Sequence, residues 1–177
     1  MTRGVAPLVV TLVLDAASQE HFDALRREHF PPERNHLAAH VTLFHALPGE
    51  RLGPVVADLR AAAGREPFPV TIVGLRLLGR GVAYDLAAAE LRDLHAGLAA
   101  RWLPWLTAQD RQRFAPHLTV QNKVEPATAR HLHAQLSACF RSVDVTAVGL
   151  ALWRYEGGPW SPVDSAPFRA LPPRRPP

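Results

Sequence analysis

His40-Val41-Thr42-Leu43 and His117-Leu118-Thr119-Val120 carry one pattern twice, 77 residues apart: His, apolar, Thr, apolar. Both copies sit in short apolar and β-branched runs, so both are expected in strands. Side chains of an extended strand alternate faces, which puts His and Thr on one face and the two apolar residues on the other. A face with an imidazole beside a hydroxyl is poorly suited to a core. It is well suited to proton transfer and hydrogen bonding.

Outward from these stretches the chain reads in alternating elements. Residues 5–14 are rich in Val and Leu and read as a buried strand. Asp15 and Ser18 offer N-caps for a helix over about 18–30, stopped by Pro31-Pro32. The first motif strand covers about 39–47 and ends at Pro48-Gly49. Leu52, Val55, Val56, Leu59, Ala62 and Ala63 form the stripe of an amphipathic helix closed by Gly64. A strand over 69–78 turns at Gly79-Arg80-Gly81 into a hairpin partner over 82–87. A helix over about 88–105 turns Leu91, Leu94, Leu98 and Trp102 inward. The second motif strand spans 117–124, and Pro126 opens a helix to about 138. A long strand over 143–155 and a return strand from Ser161 to Phe168 complete the pattern.

At the 77-residue offset the two halves read alike: strand, helix, motif strand, helix, strand. The expected fold is therefore α/β (α+β) and bilobal, with duplicated lobes related by a pseudo-twofold axis. That axis would bring both motif strands to one cleft. The expected domain is single, residues 1–170, with halves of about 5–78 and 82–168 and a disordered tail at 171–177.

Composition narrows the functional classes. The chain has 177 residues, 47% hydrophobic and 20% charged, within the range of globular proteins. Its one cysteine, Cys139, rules out an intramolecular disulfide and fits a reducing compartment. The start lacks signal-peptide architecture, and apolar runs such as 7–14 are too short to span a bilayer. The expectation is a cytoplasmic monomer without membrane attachment. The net charge is +4, and Lys123 is the only lysine, so arginine carries nearly all the positive charge. Arginine suits bidentate contact with phosphate.

Two His residues facing one cleft can divide a reaction, one taking a proton from a nucleophile and the other giving one to a leaving oxygen. Thr hydroxyls can hold the oxygens of an anion. Together they suit phosphodiester chemistry without a metal or other cofactor. Period-2 parity adds Phe44 after Thr42, and Gln121 and Lys123 after Thr119. The expected site is thus His40, Thr42, His117 and Thr119 for catalysis, with Phe44 stacking a base and Gln121 and Lys123 contacting substrate. Near-symmetry does not separate acid from base; the working assignment is His117 as base and His40 as acid.

The paired motif resembles the 2H phosphoesterase superfamily. Within it the chain is similar to the bacterial 2′-5′ RNA ligase group, also described as RNA 2′,3′-cyclic phosphodiesterases. The resemblance covers about residues 5–168 and extends to the flanking 44–48 and 116–123. It implies a bilobal α/β fold with two antiparallel sheets around a central cleft. It also implies metal-free hydrolysis of 2′,3′-cyclic phosphate ends of RNA or of cyclic nucleotides to 2′-phosphates, with ligation of 2′-5′ linkages in some relatives. The better-known bacterial members carry an Arg soon after the second motif, where this chain has Gln121, Asn122 and Lys123.

Three rival readings remain. A metal site would draw on His36, His40 and His45, or on His131 and His133. But His40 and His45 have opposite strand parity, and residues two apart on a helix do not share a face. A non-catalytic RNA-binding module has no need of paired acid and base groups. A 2′-5′ ligase or 2′-5′ oligonucleotide phosphodiesterase would use the same motifs. His21, His29, His95, His131 and His133 are expected at surfaces or boundaries. Trp153 and Tyr155 either line the cleft or pack a lobe.

Overall fold

The computed structural model describes residues 5–169; the sequence-expected tail at 171–177 lies outside the described residues. Seven strands and four main helices follow the expected order. β1 (Leu8–Leu14) is almost wholly buried. α1 (Ala16–His29) starts at Asp15, whose carboxylate accepts from the Ser18 amide at 3.0 Å and the Ser18 hydroxyl at 2.7 Å. The same carboxylate accepts from the Thr146 amide at 2.9 Å, so the cap also fixes where the helix leaves the sheet. Next come β2 (Val41–Leu47), α2 (Leu52–Ala62), β3 (Phe68–Leu77) and β4 (Val82–Ala87). They are followed by α3 (Ala89–Trp102), β5 (His117–Gln121), α4 (Pro126–Cys139), β6 (Val143–Tyr155) and β7 (Trp160–Pro167).

The strands form one antiparallel sheet in the order β1-β2-β5-β4-β3-β6-β7, and β1 also pairs with β6, closing six strands into a barrel. This differs from the expectation of two sheets. The halves are stitched together at β2–β5, at β3–β4, at β3–β6 and at β1–β6. The pairing scheme maps onto itself when β1 and β4, β2 and β5, and β3 and β6 are exchanged. The β2–β5 joint is the slightest, a single residue pair, Val41 opposite Leu118. Both are fully buried, so the centre of each motif anchors the barrel while its His and Thr flank the joint.

α1 packs on β5, α4 on β3 and β4, and α2 against α3 and β7. The expected inward stripe of α3, Leu91, Leu94, Leu98 and Trp102, is buried throughout. The β3–β4 hairpin turns at Gly79, whose φ of +75° is readily reached only without a Cβ. Gly81 then passes so close to β5 that a Cβ there would sit 2.0 Å from the Gln121 carbonyl. Among the described residues, no helix is long and apolar enough to cross a membrane.

Candidate active site

α1 builds the approach to the first motif. Gln19 donates to the Ala39 carbonyl at 2.8 Å, and Asp23 accepts from the Ala39 amide at 2.6 Å. One turn on, the Arg26 Nε donates to Asn35 Oδ1 at 2.8 Å and to the Leu37 carbonyl at 3.0 Å. The segment so held presents the Ala38 carbonyl to His40, whose Nδ1 lies 2.8 Å away. A carbonyl only accepts, so Nδ1 carries the hydrogen and Nε2 is left for proton transfer.

His117 repeats this arrangement. Its Nδ1 lies 3.0 Å from the carbonyl of Ala115, again two residues upstream. The Arg76 Nη1 is 3.5 Å from the same nitrogen. Both are donors once the carbonyl has claimed the Nδ1 hydrogen, so Arg76 is a charged neighbour and not a hydrogen-bond partner. Its firm contact is with Asp85, at 2.6 Å, and Asp85 lies opposite His117 in the β4–β5 ladder.

The antiparallel register through Val41 and Leu118 sets His40 across from Thr119 and Thr42 across from His117. The two His residues are diagonal neighbours, a relation that places residues roughly 7–8 Å apart in a regular ladder, with their Cβ atoms somewhat closer. His40 immediately precedes β2 and His117 is the first residue of β5. Burial pushes the His40 imidazole below its ordinary value, with the Ala38 carbonyl opposing and the charges of Arg26, His117 and His45 adding to the depression.

The three expected substrate-binding residues are not on this face, and a bulge in each motif strand explains two of them. In the β1–β2 ladder Val10 pairs with Phe44 but Thr11 with Thr42, so Leu43 is an extra residue. In the β4–β5 ladder Val82 pairs with Gln121 but Ala83 with Thr119, so Val120 is the equivalent extra residue. A bulge reverses the alternation beyond it. Phe44 therefore turns into the core, 0% exposed, stacked on His95 at 4.6 Å and edge-on to Trp102 at 4.9 Å. Gln121 is likewise buried, 4% exposed. Lys123 lies beyond the end of β5, exposed, in a turn with φ +62°.

The same reversal carries His45 to the motif side, against its sequence parity. His45 lines a cavity of about 220 Å³ with Thr42, Arg76, Arg113 and His117. Its Nδ1 is 2.9 Å from Asp110, which also accepts from the amides of His45 at 2.8 Å and Ala46 at 3.1 Å. Burial pushes the Asp110 carboxyl up, but the hydrogen bonds from His45 and Ala46 outweigh it and hold it below the usual carboxylate range. His95, expected at a surface or boundary, is buried between Phe44 and Phe114.

On the other side of His40 lies a mostly apolar cavity of about 300 Å³ walled by Trp153 and Trp160. Trp160 touches the His40 ring at 4.8 Å between centroids, and Trp153 is fixed by a 2.9 Å hydrogen bond from its indole N–H to Thr11. Trp153 thus lines the site, whereas Tyr155 is exposed at the strand end. Thr119 lines neither cavity; its carbonyl accepts from Arg26 at 2.9 Å. Among the described residues, no group of three or more His, Cys, Asp or Glu side chains is placed to hold a metal ion.

The family model of the 2′-5′ RNA ligase superfamily matches residues 14–159, well over half of the chain. The chain belongs to this superfamily, among the 2H phosphoesterases. Solved structures agree on the fold of this superfamily member. TT0787 of Thermus thermophilus superposes with a TM-score of 0.64 at 18% identity, covering 93% of this chain and 98% of that one. E. coli LigT complexed with 3′-AMP gives a TM-score of 0.54 at 21% identity with the same coverage. E. coli LigT complexed with ATP gives 0.54 at 18% identity, again covering 93% and 98%. No curated protein sequence matches the chain. Membership of the 2H phosphoesterases makes this an enzyme of phosphoesterase or ligase type.

Proposed function

We propose that this protein is a metal-independent phosphodiesterase that opens 2′,3′-cyclic phosphate ends of RNA or nucleotides to 2′-phosphates, with His40 as general base and His117 as general acid. The observation that carries the proposal is the matched pair of Nδ1–carbonyl contacts, His40 to Ala38 and His117 to Ala115, on adjoining strands. Each leaves one Nε2 for proton transfer, and the register sets each ring across the joint from the Thr of the other motif.

In this reaction Nε2 of neutral His40 takes a proton from water as the water oxygen bonds to phosphorus. The bond from phosphorus to the 3′ oxygen breaks, and the protonated His117 gives its Nε2 hydrogen to that oxygen. Thr42 and Thr119 donate to the non-bridging oxygens. The depressed His40 value favours the neutral form that a base needs. This reverses the acid and base assignment expected from sequence.

The cavity walled by Trp153 and Trp160 is the place for the base of the terminal nucleotide, a role the sequence assigned to Phe44. The test is incubation of the purified protein with 2′,3′-cyclic AMP, 2′-5′ dinucleotides and 3′-5′ RNA. Release of 2′-AMP from the first substrate supports the proposal; cleavage or joining of the 2′-5′ linkage alone would favour the ligase reading.

A further inference from the structure

The cavity beside His117 does not end at the motif. A second cavity of about 410 Å³ shares Arg76, Arg113, Phe114 and Ala115 with it and adds Asp85 and Arg92. The two cavities therefore adjoin, and three arginines contributed by β3, α3 and the segment before β5 line them on the His117 side. On the opposite flank of the motif pair, the wall around His40 is aromatic and apolar.

Charge along this path is unevenly compensated. Arg76 is paired with Asp85 at 2.6 Å. Among the described residues neither Arg113 nor Arg92 forms a salt bridge. Asp110, the other acid near the path, is spent on His45 and the backbone amides. Glu90 and Asp93 flank Arg92 on α3 but line neither cavity. Two exposed guanidinium groups are thus free to meet an anion, and guanidinium geometry fits phosphate oxygens.

We propose that Arg76, Arg113 and Arg92 form a phosphate track that takes the nucleotides upstream of the scissile cyclic phosphate. This rests on the hydrolase reading and names the substrate within it: an oligonucleotide end, preferred over a free cyclic mononucleotide. A strand ending in a cyclic phosphate has its further negative charges only on the 5′ side of the terminal ribose. With the terminal base in the Trp153–Trp160 cavity beside His40, those phosphates leave on the His117 side, where the arginines are. The track meets the backbone and not the bases, so it selects length and charge rather than sequence.

The experiment compares kcat/KM for 2′,3′-cyclic AMP with that for di- and trinucleotides ending in a 2′,3′-cyclic phosphate, over a salt series. The expected result is a preference for the trinucleotide of about tenfold or more at low salt, falling as salt rises by counterion release. Arg92→Gln and Arg113→Gln should each shrink that preference and reduce the salt slope by about 0.7, the single-strand value for one phosphate that its cation no longer neutralises. Arg130→Gln, which removes the same charge from α4 outside both cavities, should change neither. Equal kcat/KM at all lengths, or an equal loss in the Arg130→Gln control, would overturn the track. If no cyclic phosphate is turned over, that failure belongs to the hydrolase reading. Fluorescence anisotropy with 2′-phosphate-ended oligonucleotides then still decides the track: affinity rising with length supports it, and length-independent affinity overturns it.

Discussion

Arg26 and Thr119 are 93 residues apart in sequence and joined by a 2.9 Å hydrogen bond from the Arg26 Nη1 to the Thr119 carbonyl. The same guanidinium holds Asn35 and the Leu37 carbonyl through Nε and lies 4.0 Å over the Phe30 ring. One buried cation on α1 therefore ties the segment before the first motif to the strand of the second. Its charge also bears on His40, adding to the depression that burial causes.

Arg26→Met keeps the apolar stem and removes every one of these bonds. The variant should fold but lose about 1–3 kcal/mol for each buried carbonyl left without a partner, read by urea unfolding. Turnover should fall at least tenfold, because the Ala38 carbonyl that orients His40 sits in the loosened segment. A folded variant with undiminished kcat would show that the strap does not set the site.

The motif residues give a second prediction. His40→Ala and His117→Ala should each abolish turnover with the circular dichroism spectrum intact, and the double variant should be little worse than either, because paired catalysts act as a unit. Thr42→Ala and Thr119→Ala should cost less, about 1–3 kcal/mol each in kcat/KM, typical of losing one hydrogen bond to a charged group. Activity should also persist in EDTA. Loss on chelation with recovery on added zinc or manganese would favour a metal site.

Most of this fold was legible because each element carries its own local signal. The stripe of Leu91, Leu94, Leu98 and Trp102, the Gly79 turn and the Asp15 cap are read from neighbours within a few residues. The motif strands were legible for the same reason, and their repetition pointed to the pairing of β2 with β5. What failed was parity carried past a bulge. Nothing in Leu43-Phe44 or Val120-Gln121 announces an extra residue, because the bulge is set by how β2 meets β1 and β5 meets β4. One such slip in each strand turned Phe44 and Gln121 inward, and the slip in β2 brought His45 to the motif side. Arg76, Arg113 and Asp110 were missed for a different reason: only the tertiary fold brings them near His117, and no local pattern marks them.

The corrected position of Phe44 is testable against the position of Trp160. Phe44→Ala empties a fully buried site among His95 and Trp102 and should cost about 3–5 kcal/mol of stability, with KM for 2′,3′-cyclic AMP little changed in the folded fraction. Trp160→Ala should do the opposite, raising KM severalfold at small cost in stability. If Phe44→Leu were to raise KM more than Trp160→Ala, the base would stack on β2 after all.

Stability should also depend on pH through His95. Burial between Phe44 and Phe114 pushes its imidazole below 6.5, against smaller raising effects from the Leu43 backbone and Asp110. Below that pH the unfolded chain binds a proton that the folded chain resists, so stability is full above about 6.5 and falls as pH drops through the folded value. His40 contributes in the same direction. His95→Phe, which keeps a flat ring in the stack, should flatten this acid limb in urea titrations from pH 7 downward. An unchanged limb would show that His95 is already protonated in the fold or does not titrate differently there.

The assignment of His40 as base makes a final prediction about rate. A base must be neutral, so the acid limb of kcat/KM reports its value in the free enzyme. That limb should lie below pH 6.5, since burial lowers His40 and Arg26, His117 and His45 lower it further. In Arg26→Met one of those charges is gone, so the limb should move up toward 6.5 even though the remaining activity is small. The product formed across the profile should be the 2′-phosphate, identified by chromatography, because in the proposed reaction water attacks opposite the 3′ oxygen that His117 protonates. A 3′-phosphate would mean that the cyclic end lies reversed between the two rings. An acid limb above 6.5 that Arg26→Met leaves in place would return the base to His117.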